Sequence, residues 1–179
     1  MLIRIRAVVI GDDGNGKTSL ILRYLGKPLQ KLKPTRIPKM YTGVKNVLGT
    51  RVEWIIWEIP SRTHPQLRRA YYEDCDGALI VIKATDSIYL YRLYSWISDF
   101  IKNCGNPLGK PFVIVANFID QVTTLEAKMA LNACREYVSK LRIRLPNLVG
   151  YSETSAFTGF NVEEPFKILV KLILALRRF

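Results

Sequence analysis

The segment that most restricts how this chain folds is a glycine-rich loop between an apolar run and a helical run. Residues 11–18 read GDDGNGKT, which fits the pattern G-x-x-x-x-G-K-[ST]. The apolar run 3–10 precedes it, and the helical run 17–25 follows it. In this setting the glycines let backbone N–H groups curl around a phosphate, and the helix N-terminus adds positive potential. The sequence therefore predicts a phosphate-binding loop that joins a strand to a helix.

Residue types within this loop predict separate contacts. Lys17 is expected to reach the β- and γ-phosphates of a nucleotide, and Thr18 is expected to offer its hydroxyl to Mg²⁺. Asp12 and Asp13 are unusual here, because carboxylates that point into the loop would oppose a bound anion. We expect one of them, Asp12, to point outward. A glycine-rich turn with a chance lysine is the alternative, and the strand–loop–helix setting opposes it.

Strand-like and helical segments alternate along the rest of the chain. Strands are predicted at residues 3–10, 42–48, 52–59, 77–82, 111–116 and 148–151. Helices are predicted at residues 17–25, 87–102, 125–141 and 162–176, the last with Asn161 as its N-cap. The alternation implies right-handed βαβ units. We therefore predict a single α/β domain over residues 1–179: a six-stranded, mostly parallel sheet with one antiparallel edge strand and helices on both faces.

Charge and cysteine content narrow the classes of partner and of site. Lys and Arg number 27 against 15 Asp and Glu, so the net charge is +12. This excess fits an acidic protein, an anionic membrane surface, a nucleic acid or a polyanionic ligand, although a plain solvated surface would look the same. No nucleic-acid recognition motif is present, which disfavours nucleic acid. The three cysteines are far apart and form no CxxC pair, so we expect reduced thiols rather than a zinc site or disulfides.

Targeting signals are not evident in the sequence as given. The N-terminal apolar run is too short for a signal peptide, and no run approaches the roughly 20 apolar residues of a membrane span. The last residues, ALRRF, contain no cysteine for prenylation. We expect a cytoplasmic protein that reaches a membrane periphery only through a partner.

Motifs along nearly the whole chain resemble one known family. They are GDDGNGKTSL, WIIWEIP, YYEDCDGALIVIKATD, FVIVANFID, ETSA and TGFNVEEPF. In order and spacing these motifs are similar to those of the Ras superfamily of small GTPases, and most of all to its Rab-type branch. The resemblance implies the P-loop NTPase fold, with GTP or GDP and Mg²⁺ as cofactors. The nucleotide-binding roles it implies fall on Asp13, Gly14, Asn15, Gly16, Lys17, Thr18, Ser19, Asn117, Phe118, Asp120, Ser155, Ala156 and Phe157.

The base-reading loop of the family, Asn-Lys-x-Asp, reads here Asn117-Phe-Ile-Asp120. By this resemblance Asp120 keeps the acceptor oxygens that guanine requires, and Ser155 would support it. The backbone N–H of Ala156 would meet the guanine carbonyl. Phe118 replaces the lysine whose stem covers the base, and an aromatic ring can cover it by stacking. The alternative is that Phe118 is a core residue of a decayed site.

The catalytic segment departs most from the family pattern. Trp-Asp-Thr-Ala-Gly-Gln becomes Trp57-Glu-Ile-Pro-Ser-Arg62. Glu58 replaces the aspartate that holds Mg²⁺ through water, and Ser61 replaces a glycine that meets the γ-phosphate. Arg62 replaces the glutamine that orients the attacking water, and arginine is only a donor. With Asp13 crowding an incoming arginine finger, we expect hydrolysis to be slow or lost.

Two assignments stay open at this point. Arg62 is either a solvated residue, a built-in finger on the γ-phosphate, or part of a hydrolase with an unusual mechanism. The threonine that closes on Mg²⁺ is either Thr35, which we prefer, or Thr42. The alternative for both threonines is an ordinary loop or strand residue.

Partner contacts are expected on the basic loop 27–40, here called the first switch, and on residues 57–72, here called the second switch. The candidates are Lys31, Lys33, Arg36, Lys39, Arg68, Arg69, Tyr71 and Tyr72. Their charge suggests an acidic protein effector or complex subunit. The sequence thus favours a divergent guanine-nucleotide-binding switch or scaffold, with a role in membrane traffic by analogy with Rab proteins. The alternative is a pseudo-GTPase that binds no nucleotide and serves as a structural subunit.

Overall fold

In a computed structural model, which describes residues 2–29, 35–86, 88–106, 108–146 and 148–177, six strands form one sheet in the order β2-β3-β1-β4-β5-β6. The strands are β1 Leu2–Ile10, β2 Lys39–Val47, β3 Thr50–Glu58, β4 Gly77–Lys83, β5 Phe112–Asn117 and β6 Val149–Glu153. The helices are α1 Lys17–Tyr24, α2 Pro65–Asp74, α3 Tyr89–Asn103, α4 Leu125–Arg144 and α5 Glu164–Leu176, with a 3₁₀ turn at Ile119–Gln121. Every strand pair is parallel except β2 with β3. The predicted fold class is confirmed.

The antiparallel pair is the hairpin that the sequence predicts, but its turn lies one residue before the predicted Gly49-Thr50. Val47 pairs with Thr50, so Leu48 and Gly49 form a two-residue turn. Both have positive φ, 52° and 77°, as a tight hairpin turn of the right twist requires. β2 is thereby one edge of the sheet. Its first residue, Lys39, pairs with Glu58, so the first switch ends beside the end of β3.

Helices cover both faces of the sheet because the central strands are buried on both sides. All residues of β5, and all of β4 except Lys83, are buried. Ile80 and Ile82 face α2, α3 and α4, whereas Leu79 and Val81 face α1 and α5. Because β1, β4 and β5 are neighbouring parallel strands, their carboxyl ends lie side by side at the same end of the sheet. No helix within the described ranges is both long and apolar enough to cross a bilayer.

The sequence predicts that α5 is capped by Asn161 and that α3 begins at Ser87. Asn161 does not cap α5, so that prediction is wrong: the helix begins at Glu164 after Glu163. Asn161 has φ 55°, and its side-chain amide donates to Glu153 O at 2.9 Å and to Ser152 Oγ at 3.2 Å. It therefore ties the preceding loop to β6 instead. Ser87, the predicted first residue of α3, lies outside the described residues.

Candidate nucleotide site

The phosphate loop, residues 11–16, lies at the carboxyl end of β1 and turns directly into α1. Gly11, Gly14 and Gly16 have φ of 136°, 81° and 81°, which other residues rarely adopt. A side chain at Gly11 would collide with Val81 O, and a Cβ at Gly16 would lie 3.2 Å from Cε2 of Phe118. Backbone conformation therefore favours glycine at all three positions, and close approach adds to this at Gly11 and Gly16.

Lys17 lies beneath this loop with its ammonium group held by the protein. Nζ donates to Gly11 O and to Asp12 O, both at 2.9 Å, and the residue is only 5% exposed. Burial lowers the pKa of Lys17, while the charges of Glu58, Asp13 and Asp12 act in the opposite direction. The ammonium is thus fixed at the inner edge of the loop.

The two aspartates of the loop point in different directions. Asp12 accepts a hydrogen bond from Trp96 Nε1 at 3.3 Å and lies 3.6 Å from Arg92, both on α3. It faces away from the loop, as expected. Asp13 instead accepts a hydrogen bond from Ser61 Oγ at 2.8 Å, and its second oxygen lies 3.5 Å from Arg62 Nε. The carboxylate of Asp13 therefore joins the phosphate loop to the second switch.

Oxygen atoms converge where the sequence predicts Mg²⁺. Glu58 is 2% exposed, and its Oε1 accepts hydrogen bonds from Thr18 at 2.6 Å and from Thr35 at 3.1 Å. The two threonine hydroxyls are 3.3 Å apart. Thr42, the alternative, lies within β2 opposite Ile55, so the structure brings together the set that contains Thr35. Hydroxyl and carboxylate oxygens are the ligands Mg²⁺ prefers, so these residues fit that ion.

Tyr41 is part of the same cluster, although the sequence did not single it out. Its hydroxyl donates to Glu58 Oε2 at 3.0 Å. Burial, together with the nearby charge of Glu58, raises the pKa of Tyr41. The residue is the third of β2, next to the first switch, and it is buried although its neighbours Met40 and Thr42 are exposed. No motif in the sequence marks it. The larger side chain of glutamate, compared with aspartate, reaches this third hydroxyl.

Asn117 braces the base side of the site. Its amide nitrogen donates to Asn15 O at 3.1 Å, and its amide oxygen accepts from Thr154 Oγ1 at 3.2 Å and from Ala156 N at 3.0 Å. The Ala156 N–H expected to meet a guanine carbonyl is therefore already paired. Because buried N–H groups are normally hydrogen-bonded, this one is satisfied by the Asn117 oxygen. A guanine carbonyl would have to share the N–H with that oxygen. Asn15 also turns its side chain inward, donating to Val81 O at 2.9 Å.

The remaining base-side residues differ in how open they are. Asp120 is exposed, and within the described residues its carboxylate makes no hydrogen bond. Phe157 is 75% exposed, and Arg23 of α1 donates to its carbonyl at 2.6 Å. Within the described residues Ser155 makes no hydrogen bond to Asp120; its hydroxyl accepts from Thr158 N at 3.0 Å and closes the local turn. Ser19 is half-buried on α1.

Phe118 follows Asn117 with φ 67°, a left-handed conformation unusual for an aromatic residue. Its ring lies against Gly16 of the phosphate loop. On the ring, 5.3 Å from its centroid, sits Nζ of Lys83, which sequence reasoning had missed. The signal was a charged residue ending the otherwise apolar run of β4.

The predicted partner surface is only partly exposed. Arg36, Lys39 and Arg69 are exposed, whereas Lys31 and Lys33 lie outside the described residues. Tyr71 is half-buried against Trp57, with ring centroids 4.9 Å apart.

Of the two other partner candidates, which pack against α3, Tyr72 is wrong because it is fully buried, whereas Arg68 is half-buried. Tyr72 is fully buried and donates to Asp99 at 2.9 Å. Arg68 lies over the Trp96 ring, 5.2 Å from its centroid, with Nε 3.4 Å from Asp99. Positions 68 and 72 are one helical turn apart, so both meet α3.

The strand–loop–helix unit, the doubly covered parallel sheet and the residues at its carboxyl edge define a P-loop NTPase fold. The sequence profile of the Ras family matches residues 6–175, so the chain belongs to the Ras family of small GTPases. The Ras-related protein Rab-7B of Dictyostelium discoideum is 31% identical over 169 residues, covering 91% of this chain and 79% of that protein. Drosophila melanogaster Rab7 is 28% identical, covering 96% and 81%, and mouse Rab-21 is 28% identical, covering 94% and 72%. These relatives identify the chain as Rab-like.

Members of this family generally bind GTP or GDP with Mg²⁺ and bind protein effectors.

Proposed function

We propose that this protein binds guanine nucleotide with Mg²⁺, hydrolyses GTP slowly or not at all, and acts as a switch or scaffold for a protein partner. By analogy with Rab proteins, the partner belongs to membrane traffic. The observation that carries the hydrolysis part of the proposal is the contact of Asp13 with Ser61 and Arg62.

This contact bears on catalysis because of what the side chains can do. Hydrolysis in this class needs a residue that orients the attacking water, and arginine has no acceptor for that water. Arg62 is 90% exposed and directed toward Asp13. Ser61 donates its hydroxyl to the same carboxylate. The second switch is therefore tied to the phosphate loop by residues that cannot replace the glutamine.

Retention of nucleotide binding is supported by the geometry of three groups. Lys17 is buried beside the loop, where the phosphates would lie. Thr18 and Thr35 would hold Mg²⁺ by their hydroxyls, with Glu58 holding it through water. When bound, the ion neutralises charge on the phosphates. Asp120 presents acceptor oxygens with no competing partner in the described protein, as reading guanine requires.

One observation favours the second candidate, a pseudo-GTPase that serves as a structural subunit. Polar groups that would meet the nucleotide are satisfied inside the protein: Lys17 by two carbonyls and the Ala156 N–H by Asn117. Nucleotide binding has to compete with these contacts. We rank this candidate second because the Lys17 ammonium would exchange neutral carbonyl acceptors for ionised phosphate oxygens, which attract it more strongly.

The partner surface we propose is the exposed basic part of the two switches. Arg36 and Lys39 on the first switch and Arg69 on the second carry its positive charge. Complementary charge speeds association with an acidic partner. Lys31 and Lys33 belong to the same segment by sequence.

The test is the nucleotide content of the purified protein, followed by titration of stripped protein with labelled GTP, GDP and ATP. We expect bound guanine nucleotide, a preference for GTP and GDP over ATP, and much weaker binding by Lys17→Ala. Recovery of intact GTP would support slow hydrolysis. Empty protein that ignores all three nucleotides would contradict the proposal and favour the structural subunit.

Single-turnover hydrolysis then separates the slow switch from a working enzyme. We expect little phosphate release over hours. Fast release that disappears in Arg62→Ala would instead show that Arg62 acts as a built-in finger, and that the hydrolysis part of the proposal is wrong.

A further inference from the structure

Lys83 is a charged residue at the end of a strand that is otherwise apolar. It is the last residue of β4 and pairs in register with Asn117, the last residue of β5. It is half-buried, and its ammonium makes no hydrogen bond or ion pair with the described residues. Its ammonium lies over the ring of Phe118, 5.3 Å from Nζ to the centroid. A cation at this distance from an aromatic ring is attracted to it.

The ring that Lys83 contacts is itself in an unusual position. Phe118 adopts φ 67°, which costs free energy for a residue with a side chain. The ring edge approaches Gly16, so the ring lies between the end of β4 and the phosphate loop. Such a position needs support from its surroundings, and the Lys83 ammonium is one of the groups that contact the ring.

The residue types at positions 83 and 118 depend on each other. A lysine at 118, as in the Asn-Lys-x-Asp pattern, would bring a second ammonium to within about 5 Å of Lys83 if it took the place of the ring. Like charges at that distance repel. An aromatic residue at 118 removes the repulsion and replaces it with attraction. Lys83 and Phe118 are therefore a compatible pair, whereas Lys83 and a lysine at 118 are not.

We propose that Lys83 is a positioning residue for guanine nucleotide: it holds the Phe118 ring across the phosphate loop, so that the ring can stack on the base. The inference rests on the proposed nucleotide binding and adds a residue on β4 to the base-recognition machinery. It also explains how the chain covers the base without the family lysine.

A double-mutant cycle tests this. The affinity for labelled GDP is measured on stripped full-length protein for wild type, Lys83→Met, Lys83→Arg, Phe118→Lys and the double variant Lys83→Met/Phe118→Lys. Lys102→Met, an exposed lysine on α3, is the matched control. Thermal melting of each variant confirms that it is folded.

We expect Lys83→Met to weaken GDP binding by about 3- to 30-fold, and Lys83→Arg and the control to stay near wild type. In the Phe118→Lys background, by contrast, Lys83→Met should not weaken GDP binding. It should leave the affinity unchanged or raise it, because it removes repulsion. An equal loss in both backgrounds would show a merely structural lysine and overturn the inference. No loss in wild type would overturn it as well.

Competition with GMP separates positioning of the ring from direct contact with phosphate. If Lys83 acts through the ring, Lys83→Met weakens GMP and GDP by the same factor. A loss that grows with the number of phosphates would mean that the ammonium binds phosphate, contrary to the proposal. Wild-type protein that binds no nucleotide would defeat the proposed function itself, an outcome distinct from normal binding that ignores Lys83.

Discussion

The base end and the catalytic end of the site differ in how their polar groups are used. At the base end, the Asn117 side chain joins the phosphate loop to the segment at Ala156, while Asp120 stays exposed and without a partner in the described protein. At the catalytic end, Asp13 takes up Ser61 and Arg62. At the base end, hydrogen bonds of Asn117 hold the backbone in place and leave the Asp120 carboxylate open to a base. At the catalytic end, the side chains bond to one another. We therefore expect recognition and hydrolysis to depend on separable parts of the candidate site.

The largest effect is expected from the removal of Lys17, because nucleotide binding at either end depends on it. Lys17→Ala deletes a buried ammonium next to the phosphate loop. Because each charge-assisted hydrogen bond to a phosphate contributes about 1.5–3 kcal/mol, we expect GDP affinity to fall by about a hundredfold or more. Fluorescence titration measures it. Lys27→Ala, a lysine whose ammonium donates to Thr42 O outside the loop, is the control; equal losses in both would contradict the assignment.

The base end alone is tested by Asp120→Asn. The change replaces one acceptor oxygen with an N–H, which would face the guanine N–H donors. We expect GDP affinity to fall by about a hundredfold, and xanthosine diphosphate, which carries a carbonyl at that position, to bind better than GDP. Competition titrations with the two diphosphates give the ratio. Hydrolysis per bound nucleotide should not change, and an unchanged GDP affinity would mean that Asp120 does not read the base.

The catalytic end is tested by restoring the family residues together. In Asp13→Gly/Ser61→Gly/Arg62→Gln the link between loop and second switch is gone, and a water-orienting glutamine is present. We expect single-turnover hydrolysis to rise about tenfold or more, with GDP affinity changed little. Asp12→Ala is the matched control, because Asp12 faces α3. A triple variant as slow as wild type would place the defect elsewhere, with Glu58 the next residue to change.

The smallest expected effect concerns the frame of the base end. Glu153 accepts from Arg135 at 2.7 and 2.8 Å and from Tyr151 at 2.7 Å. The hydrogen bonds from Arg135 lower the pKa of Glu153 below its ordinary value of 4.5. This stabilisation is therefore complete above that value and is lost as the pH falls through the lowered pKa.

We expect Glu153→Gln to reduce the free energy of unfolding by about 1 kcal/mol at neutral pH, and by less in acid. Urea unfolding at both pH values measures the difference. Glu136→Gln, an exposed glutamate on α4, is the control. A loss that does not shrink in acid would show that the ionised carboxylate is not responsible.

Sequence patterns predicted the sheet well because burial on both faces demands apolar residues without interruption. The runs 77–82 and 111–116 appear almost unchanged as β4 and β5, and the hairpin follows from Gly49. Helix ends were harder. Asn161 has the chemistry of a cap, yet its amide is used by β6. A cap competes with any tertiary acceptor within reach, and spacing along the chain does not show that acceptor.

At the site, spacing predicted which residues gather but not where they point. Asp12 and Asp13 are adjacent and chemically identical, and only the packing of α3 and the second switch separates them. Tyr72 looked like a partner contact until the position of α3 showed it buried. Lys83 carries no motif at all. Its role follows from a register between β4 and β5 that no local pattern contains.

Trp96 links parts of the molecule that a nucleotide would influence. Its indole N–H contacts Asp12 of the phosphate loop, and its ring supports Arg68 of the second switch. The ring is 7% exposed, so its surroundings are almost wholly protein. The chain therefore carries its own optical reporter: the emission of Trp96 should shift when the loop fills, and nucleotide exchange can be followed without any label.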